Sequence, residues 1–419
     1  VLCLCIVSFV GGAAVMRYQA VGVESLKGIF DVADILSQRL EDAFAPPPAA
    51  EETEKKGRIT VSNPKAYPGY TLFTSLQSNA IRLIDMDGQV VHQWELSFDQ
   101  IWPDHPHVSM PVAAERIFVA YAYMYPNGDV LAIYMGDNDM PYGYGLVKMD
   151  KDSHVLWKYS EKVHHDLYVS QNNNLYVLIQ KVYKEALPGL EELSYPLVAD
   201  AITVLSPAGK ELERIPLLEA FKGTPYEYML LRGFGYRKGD MHTNSVMRLD
   251  ERLATKFPQF KAGQLLVSIR NLNAIAVVDP VSKKIVWAMQ GMWRAQHEAM
   301  FLENGHIALF DNQGLGKRRS RVMELDPATQ GVSWEFRAGK DDREFFTRWR
   351  GSQRLLPGGN MLIVESYNRR MFEVTRDKEI VWEYRLPQTR ATKQGSGNNA
   401  IYSAYRFDYS YPTFLPPRK

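Results

Sequence analysis

Cysteine is nearly absent from this chain of 419 residues: there are two, Cys3 and Cys5, both in the first apolar run. That excludes a disulfide framework or a thiolate zinc site anywhere downstream. Charge of one sign is also missing. Lys and Arg number 49 against 48 Asp and Glu, so no electrostatic case exists for a nucleic-acid partner. Long apolar runs are scarce as well. The one at the start, VLCLCIVSFVGGAAVM, is uncharged and about as long as a signal-peptide core, whereas a bilayer crossing takes about 20 apolar residues. The chain begins at Val rather than Met, so its true start is expected upstream; the presence of the run in the chain favours a retained anchor over a removed leader. The expectation is therefore a transmembrane anchor over 1–20 in contact with the lipid bilayer. Its direction of insertion stays open because the upstream flank is missing.

After this run, VESLKGIFDVADILSQRLEDAF carries Leu26, Ile29, Phe30, Val32, Ile35, Leu36 and Leu40 at helical spacing, which predicts an amphipathic stalk helix over 21–44. The Pro- and charge-rich stretch 45–63 reads as a linker, and the globular domain as 64–419.

What fills that domain is a repeat. Six hairpins, IRLIDMDGQVVHQWE, LVKMDKDSHVLWKY, AITVLSPAGKELERI, IAVVDPVSKKIVWAM, RVMELDPATQGVSWEF and MFEVTRDKEIVWEY, place apolar alternation on both sides of a polar turn. Each is a half-buried strand pair, and copies spaced by roughly 45 to 75 residues match a radial array of four-stranded units. The expected fold is all-β, a six-bladed β-propeller. The hairpin from Ile81 lacks an inner partner upstream, while AIYSAYRFDYSYP near the C-terminus is strand-like and unpaired. The tail is expected to supply the inner strand of the blade begun near Tyr70, closing the ring and removing exposed sheet edges.

Three histidines open the inner half of three successive units: His165 in HHDLYVSQNNNLYVLI, His242 in HTNSV and His297 in QHEAMFLENGHIALFDN. The turns place Gly351 and Ala120 at the matching position in two other units. In a ring, matching positions of inner strands converge on the axis, so three imidazoles should share one pocket. Asn244 lies two residues after His242 and so on the same strand face. Arg270, in LLVSIRNLN, ends the strand that follows. Asp166 is placed either to fix an imidazole tautomer or to bond backbone in a turn, and Asn312 either at the rim or in a turn. The remaining histidines, His92, His105, His107, His154 and His306, read as surface or loop residues. Imidazoles with a guanidinium and an amide suit an oxyanion substrate, and a neutral imidazole can be a nucleophile. Sulfuryl or phosphoryl transfer follows as one chemistry, without metal or cofactor. A three-histidine metal site is the competing one, against which the nearby arginine argues.

The segments PGYTLF, HHD, HTNSV, SIRNLN and QHEAMFLENGHIALFDN, in this order over about residues 65 to 415, resemble the bacterial arylsulfotransferases, six-bladed propellers that work without PAPS. The resemblance implies an aryl sulfate donor, a phenolic acceptor and a sulfohistidine intermediate on His297. It implies proton exchange by His165 or His242 and sulfate binding by Arg270 and Asn244. It also implies a periplasmic or extracellular setting. The best-known members have an N-terminal β-domain and a disulfide, both missing here, so the acceptor pocket does not carry over. Aromatic insertions such as MPYGYG and EFFTRW either line an acceptor site or pack loops. The rival reading is a non-catalytic propeller serving as scaffold in a membrane complex with partner subunits, which an anchor and stalk favour and an intact His/His/Asn/Arg/His set disfavours. A metal-dependent hydrolase or lactonase propeller lacks its inward carboxylates here.

Overall fold

The computed structural model describes residues 57–416 apart from 77, 138, 235–238, 315, 317–318, 338–344 and 388–399. The anchor expected over 1–20 and the stalk helix over 21–44 lie outside the described residues. Among those described, no helix is long and apolar enough to cross a membrane.

Six antiparallel sheets form six blades. Blade 1 runs from its inner strand Ile401–Phe407 through Tyr70–Ser75 and Ala80–Ile84 to Val90–Glu95. The inner strands of blades 2 to 6 are Ile117–Met124, Val163–Val169, Thr243–Arg248, His297–Phe301 and Ser352–Leu355. Each touches the next, and the last touches the first, so the ring is closed. The architecture is the six-bladed β-propeller that the repeats predict.

Burial along each blade explains the sequence pattern. Second and third strands such as Leu265–Ile269, Ala274–Asp279, Ile307–Asp311 and Met361–Glu365 are buried almost throughout, because neighbouring blades cover both faces. They therefore read as apolar runs. Outermost strands such as Val155–Tyr159 and Glu211–Pro216 are largely exposed and keep their charges.

Closure comes from the C-terminus. Ile401–Phe407 pairs along Tyr70–Ser75, as expected from the unpaired tail. A buried ion pair fastens it to the last blade: Arg406 Nη1 lies 2.6 Å from Glu373 Oε2, with Arg406 Nε donating to Thr71 Oγ1 at 2.8 Å. The guanidinium stacks over the Trp382 ring, and Glu373 also accepts from the Tyr67 N–H at 2.7 Å. The linker expectation over 45–63 needs one correction. Arg58–Ser62 pairs with Ile380–Arg385 and adds a fifth, outermost strand to blade 6. It covers the edge that the last blade would otherwise expose. With alternating exposed and half-buried residues, so short an edge strand lacks the apolar signal that marks the others.

Because a buried pair that loses one partner leaves an uncompensated charge, Glu373→Gln should destabilise the fold by about 3–5 kcal/mol. The denaturation midpoint at constant m-value checks this.

Candidate functional site

The pairing registers show how the ring builds a pocket. Counting back four residues from the last paired residue of each inner strand gives Ala120, His165, Asn244, His297, Gly351 and Ser403 in blades 2 to 6 and 1. His165, Asn244, His297, Gly351 and Ser403 line one small cavity at the axis, with Tyr121, Glu298, Arg350 and Tyr402. The expectation that His242 stands in register with the other two histidines is thus corrected: Asn244 holds that corner, and His242 precedes it by two. The turn after the blade 4 inner strand is enlarged by the helix Glu251–Ala254, which hides the count in the sequence. His242 still reaches the site, its ring centroid 4.8 Å from that of His165.

Pairing shifts at this level in blades 2, 3, 4 and 5. Bulges of this kind re-aim side chains and gather beside functional sites. His165, His242 and Glu298 take φ of 59°, 56° and 54°, a left-handed conformation uncommon for such residues. Local strain concentrated where the imidazoles turn inward points to a built site.

His297 is held in a single tautomer. Its Nδ1 lies 2.8 Å from Asn312 Oδ1 and 3.0 Å from the Ala295 carbonyl oxygen. The Asn312 amide is itself oriented, because its Nδ2 donates to the carbonyls of Thr347 and Arg350 at 2.9 and 2.7 Å. Both partners of Nδ1 can only accept, so Nδ1 carries the hydrogen and Nε2 keeps its lone pair. That lone pair accepts the Arg350 backbone N–H at 3.3 Å. Burial first, then the charge of Arg270, lowers the His297 pKa to about 3. The ring is neutral at physiological pH.

His242 is set differently. Its Nδ1 stands 3.0 Å from Asp240 Oδ2, so Nδ1–H is donated and Nε2 is the free nitrogen. Burial and Arg270 lower its pKa while Asp240 raises it. Tyr142, from the MPYGYG insertion, packs edge-on against His165 and His242 at 5.6 and 5.1 Å. Its hydroxyl lies 3.3 Å from Asp240 Oδ2. Arg270 donates to Asn271 Oδ1 at 2.6 Å, and Asn271 in turn bonds Asp240. One carboxylate therefore organises His242, Tyr142 and, through Asn271, Arg270. Asp240 and Tyr142 also oppose the lowering of the arginine's pKa by burial.

His165 completes the set. Its Nδ1 is 2.7 Å from that of His164, and His164 Nε2 is 3.4 Å from Asp200 Oδ1. Burial and the neighbouring His242 hold its pKa well below the usual value. Asn244 donates from Nδ2 to the Gln296 carbonyl at 2.8 Å, and its buried Oδ1 has no partner among the described residues. Asp166 fixes no imidazole. It accepts the backbone N–H groups of Leu167 and Val246 at 2.9 and 3.0 Å and ties blade 3 to blade 4, the backbone role.

His92, His105, His107, His154 and His306 bond elsewhere, to Lys151, Val108, Tyr144, Asp150 and Ser333. Of EFFTRW, Phe345 packs in the core against Phe310, Phe336 and Phe372. Among the described residues, the one group of acidic and imidazole ligand atoms close enough to share a cation is Asp150, Asp152 and His154, on a turn away from the pocket. The site histidines do not converge in that way.

Asp240 and Arg350 are the residues that sequence reasoning missed. Asp240 carries a local signal, D-x-H in GDMHTNS, since i and i+2 on an extended segment share a face. Asn312 was placed only at a rim or in a turn. Its contact with His297 joins two strands within blade 5, and Arg350 reaches the same ring from blade 6. Neither contact has a signature along the chain.

The fold and pocket together define a six-bladed propeller with neutral imidazoles, a guanidinium and an amide gathered at its axis. The chain belongs to the arylsulfotransferase family: the family model described as Arylsulfotransferase (ASST) matches residues 122–386, which hold all five predicted site residues. No curated protein matches the chain. Among solved structures, it is similar to a protein of unknown function from Bacteroides caccae at 12% identity and a TM-score of 0.49, covering 76% of this chain and 93% of that one. It is also similar to a virginiamycin B lyase from Staphylococcus aureus at 11% identity and 0.42, covering 79% and 89%.

A histidine buried neutral costs stability once the unfolded chain can take the proton. The folded His297 value lies below its ordinary 6.5, so between about pH 6.5 and 3 the unfolded state binds more protons. Stability should fall as pH drops through that window and be unaffected above it. The slope for His297→Asn should be shallower by up to about 1.4 kcal/mol per pH unit, read from urea midpoints at pH 7 and pH 5.

Proposed function

We propose that this protein is an arylsulfotransferase that moves a sulfuryl group from an aryl sulfate ester to a phenol through a sulfohistidine on His297. The observation that carries this reading is the tautomer. Asn312 and Ala295 hold the proton on Nδ1, so Nε2 keeps its electron pair, engaged only by the long 3.3 Å contact from the Arg350 N–H that an incoming sulfur would displace.

In the first half-reaction Nε2 attacks sulfur, the bond from sulfur to the aryl oxygen breaks, and the phenolate leaves. Nδ1 keeps its hydrogen, and the positive charge that develops on the ring is met by the Asn312 oxygen. In the second half-reaction an acceptor phenol attacks the same sulfur, the N–S bond breaks, and His297 returns to neutral. The acceptor's proton goes to Nε2 of His242, whose imidazolium form Asp240 stabilises as in other carboxylate–imidazole dyads. That proton is then taken by the phenolate released in the next turnover. Arg270 and Asn244 bind sulfuryl oxygens, a guanidinium fork suiting an oxyanion.

Membrane attachment over 1–20 rests on the apolar run Val1–Met16, and a periplasmic or extracellular setting on that run together with the family resemblance. Retention in membranes after alkaline extraction tests attachment.

Brief exposure to an aryl sulfate with an acidic leaving phenol should release a burst of phenol and add one SO₃ to the His297 peptide, with neither seen in His297→Asn. Absence of both in folded wild-type protein, across several donors, would move the assignment to a scaffold propeller in a membrane complex. A second measurement concerns the dyad. General acid–base help is worth about 10²–10⁴-fold, and a poorly basic phenolate needs little of it. Asp240→Asn should therefore slow transfer from esters of weakly acidic phenols by about 10²-fold or more, and from strongly acidic ones by only a few-fold.

A further inference from the structure

The cavity beside His297 measures about 20 Å³. That is room for a water molecule but not for a sulfur with its four oxygens. Something at its wall must move when a sulfate ester enters. Its histidine and amide walls are pinned by buried hydrogen bonds, whereas the Arg350 side chain is held at a partly exposed carboxylate and its backbone is fixed separately. The carbonyl of Arg350 accepts from Asn312, and its N–H points at His297 Nε2. Its φ of 63°, followed by 96° at Gly351, makes the sharp turn that aims both.

The Arg350 side chain leaves blade 6, passes the Tyr402 ring of blade 1 with 5.7 Å to its centroid, and ends with Nη2 3.3 Å from Asp137 Oδ1 beyond the second strand of blade 2. Both partners are partly exposed, at 23% and 28%. The guanidinium charge is also felt inside, where it adds to the lowering of the His165 pKa. A cation thus spans from the nucleophile's own loop across the pocket, held by a carboxylate at an N–O distance longer than a strong charge-assisted bond.

We propose that Arg350 is a second sulfate-binding arginine, which Asp137 holds in place until the sulfate ester displaces that carboxylate. It approaches the sulfuryl group from the blade 6 side, and Arg270 from blade 4. The exchange conserves charge: one monoanionic ester replaces one carboxylate, so the guanidinium is never left unpaired. It also opens the pocket, because the side chain gives up the contact that draws it across. The inference rests on the transferase reading for its substrate class, but its test does not need turnover.

The test is calorimetric titration of the full chain with inorganic sulfate, alongside KM and kcat for an aryl sulfate. Arg350→Ala should weaken sulfate binding and raise KM at least tenfold, while Arg350→Lys recovers part of both. Asp137→Asn should do the opposite, tightening sulfate binding and lowering KM by about three- to tenfold, because the competing carboxylate is gone. Opposite signs distinguish substrate binding from a structural staple, for which both variants lower the melting temperature and leave sulfate affinity unmoved. Affinities within twofold of wild type, equal losses in both variants, or no sulfate binding by wild type would each overturn the proposal. If Arg350→Ala does not fold, the sign of the Asp137→Asn change decides alone. Opposite-signed affinities in a chain that forms no sulfohistidine would uphold the arginine site and refute the transferase reading.

Discussion

Because every blade presents its innermost strand to one axis, a residue's depth along that axis is set by its count along the strand, and chain segments 120 to 403 meet at one level. This geometric constraint exists only while the ring is closed, and closure depends on the C-terminal strand pairing along Tyr70–Ser75. The Arg406–Glu373 pair, whose arginine lies three residues along the closing strand from Ser403, is therefore part of what holds His165 beside His242. Neither histidine contacts it. The dependence runs through the blades, whose doubly covered second and third strands cannot tilt without losing the packing on both faces.

Within the pocket, environment separates imidazoles that begin alike. His297 is buried, close enough to Arg270 to feel its charge and bonded to neutral groups, so protonation is strongly opposed. His242 is less fully buried and feels the same guanidinium, but a carboxylate at 3.0 Å opposes the shift. Both rings are thus kept neutral, but one has only neutral partners while the other has a carboxylate ready to stabilise its protonated form. Environments that divide paired titratable groups into two roles are the general device by which one pocket runs both halves of a reaction. The cost of burying these rings is met by strands packed on every side.

The propeller was legible because its repeat is written in apolar alternation, and the closing strand because a hairpin lacked a partner. His165, His297, Asn244 and Arg270 were legible because strand register is linear in sequence. His242 was found for a partly mistaken reason: the blade 4 turn insertion hides that Asn244 holds the registered corner, and the bulge at Thr243–Ser245 still lets the ring reach the axis. Asn312, Tyr142 and Arg350 lay beyond that kind of reasoning. They act across strands or between blades, where separations in sequence carry no period, and polar residues in loops look alike until the fold brings one of them to 2.8 Å from a ring nitrogen. Arg58–Ser62 was missed for the converse reason, a short edge strand whose alternation never reaches full burial and so carries few apolar residues.

A ring of six similar units would by symmetry make six similar corners, yet the chemistry occupies three neighbouring ones. Ala120, Gly351 and Ser403 fill the other half, and Gly351 is there by necessity: at φ 96° a Cβ would meet the Phe310 ring at 2.9 Å. Small residues on that side leave the imidazoles facing open wall instead of one another's opposites. Tyr121 and Tyr402 line it too, and Arg350 springs from the turn that the glycine permits. The same backbone conformation thus keeps the corner small, directs an N–H at His297 and sends a guanidinium toward blade 2. Function in this ring arises where its symmetry is broken, and the break is made by a few residues at equivalent counts along equivalent strands.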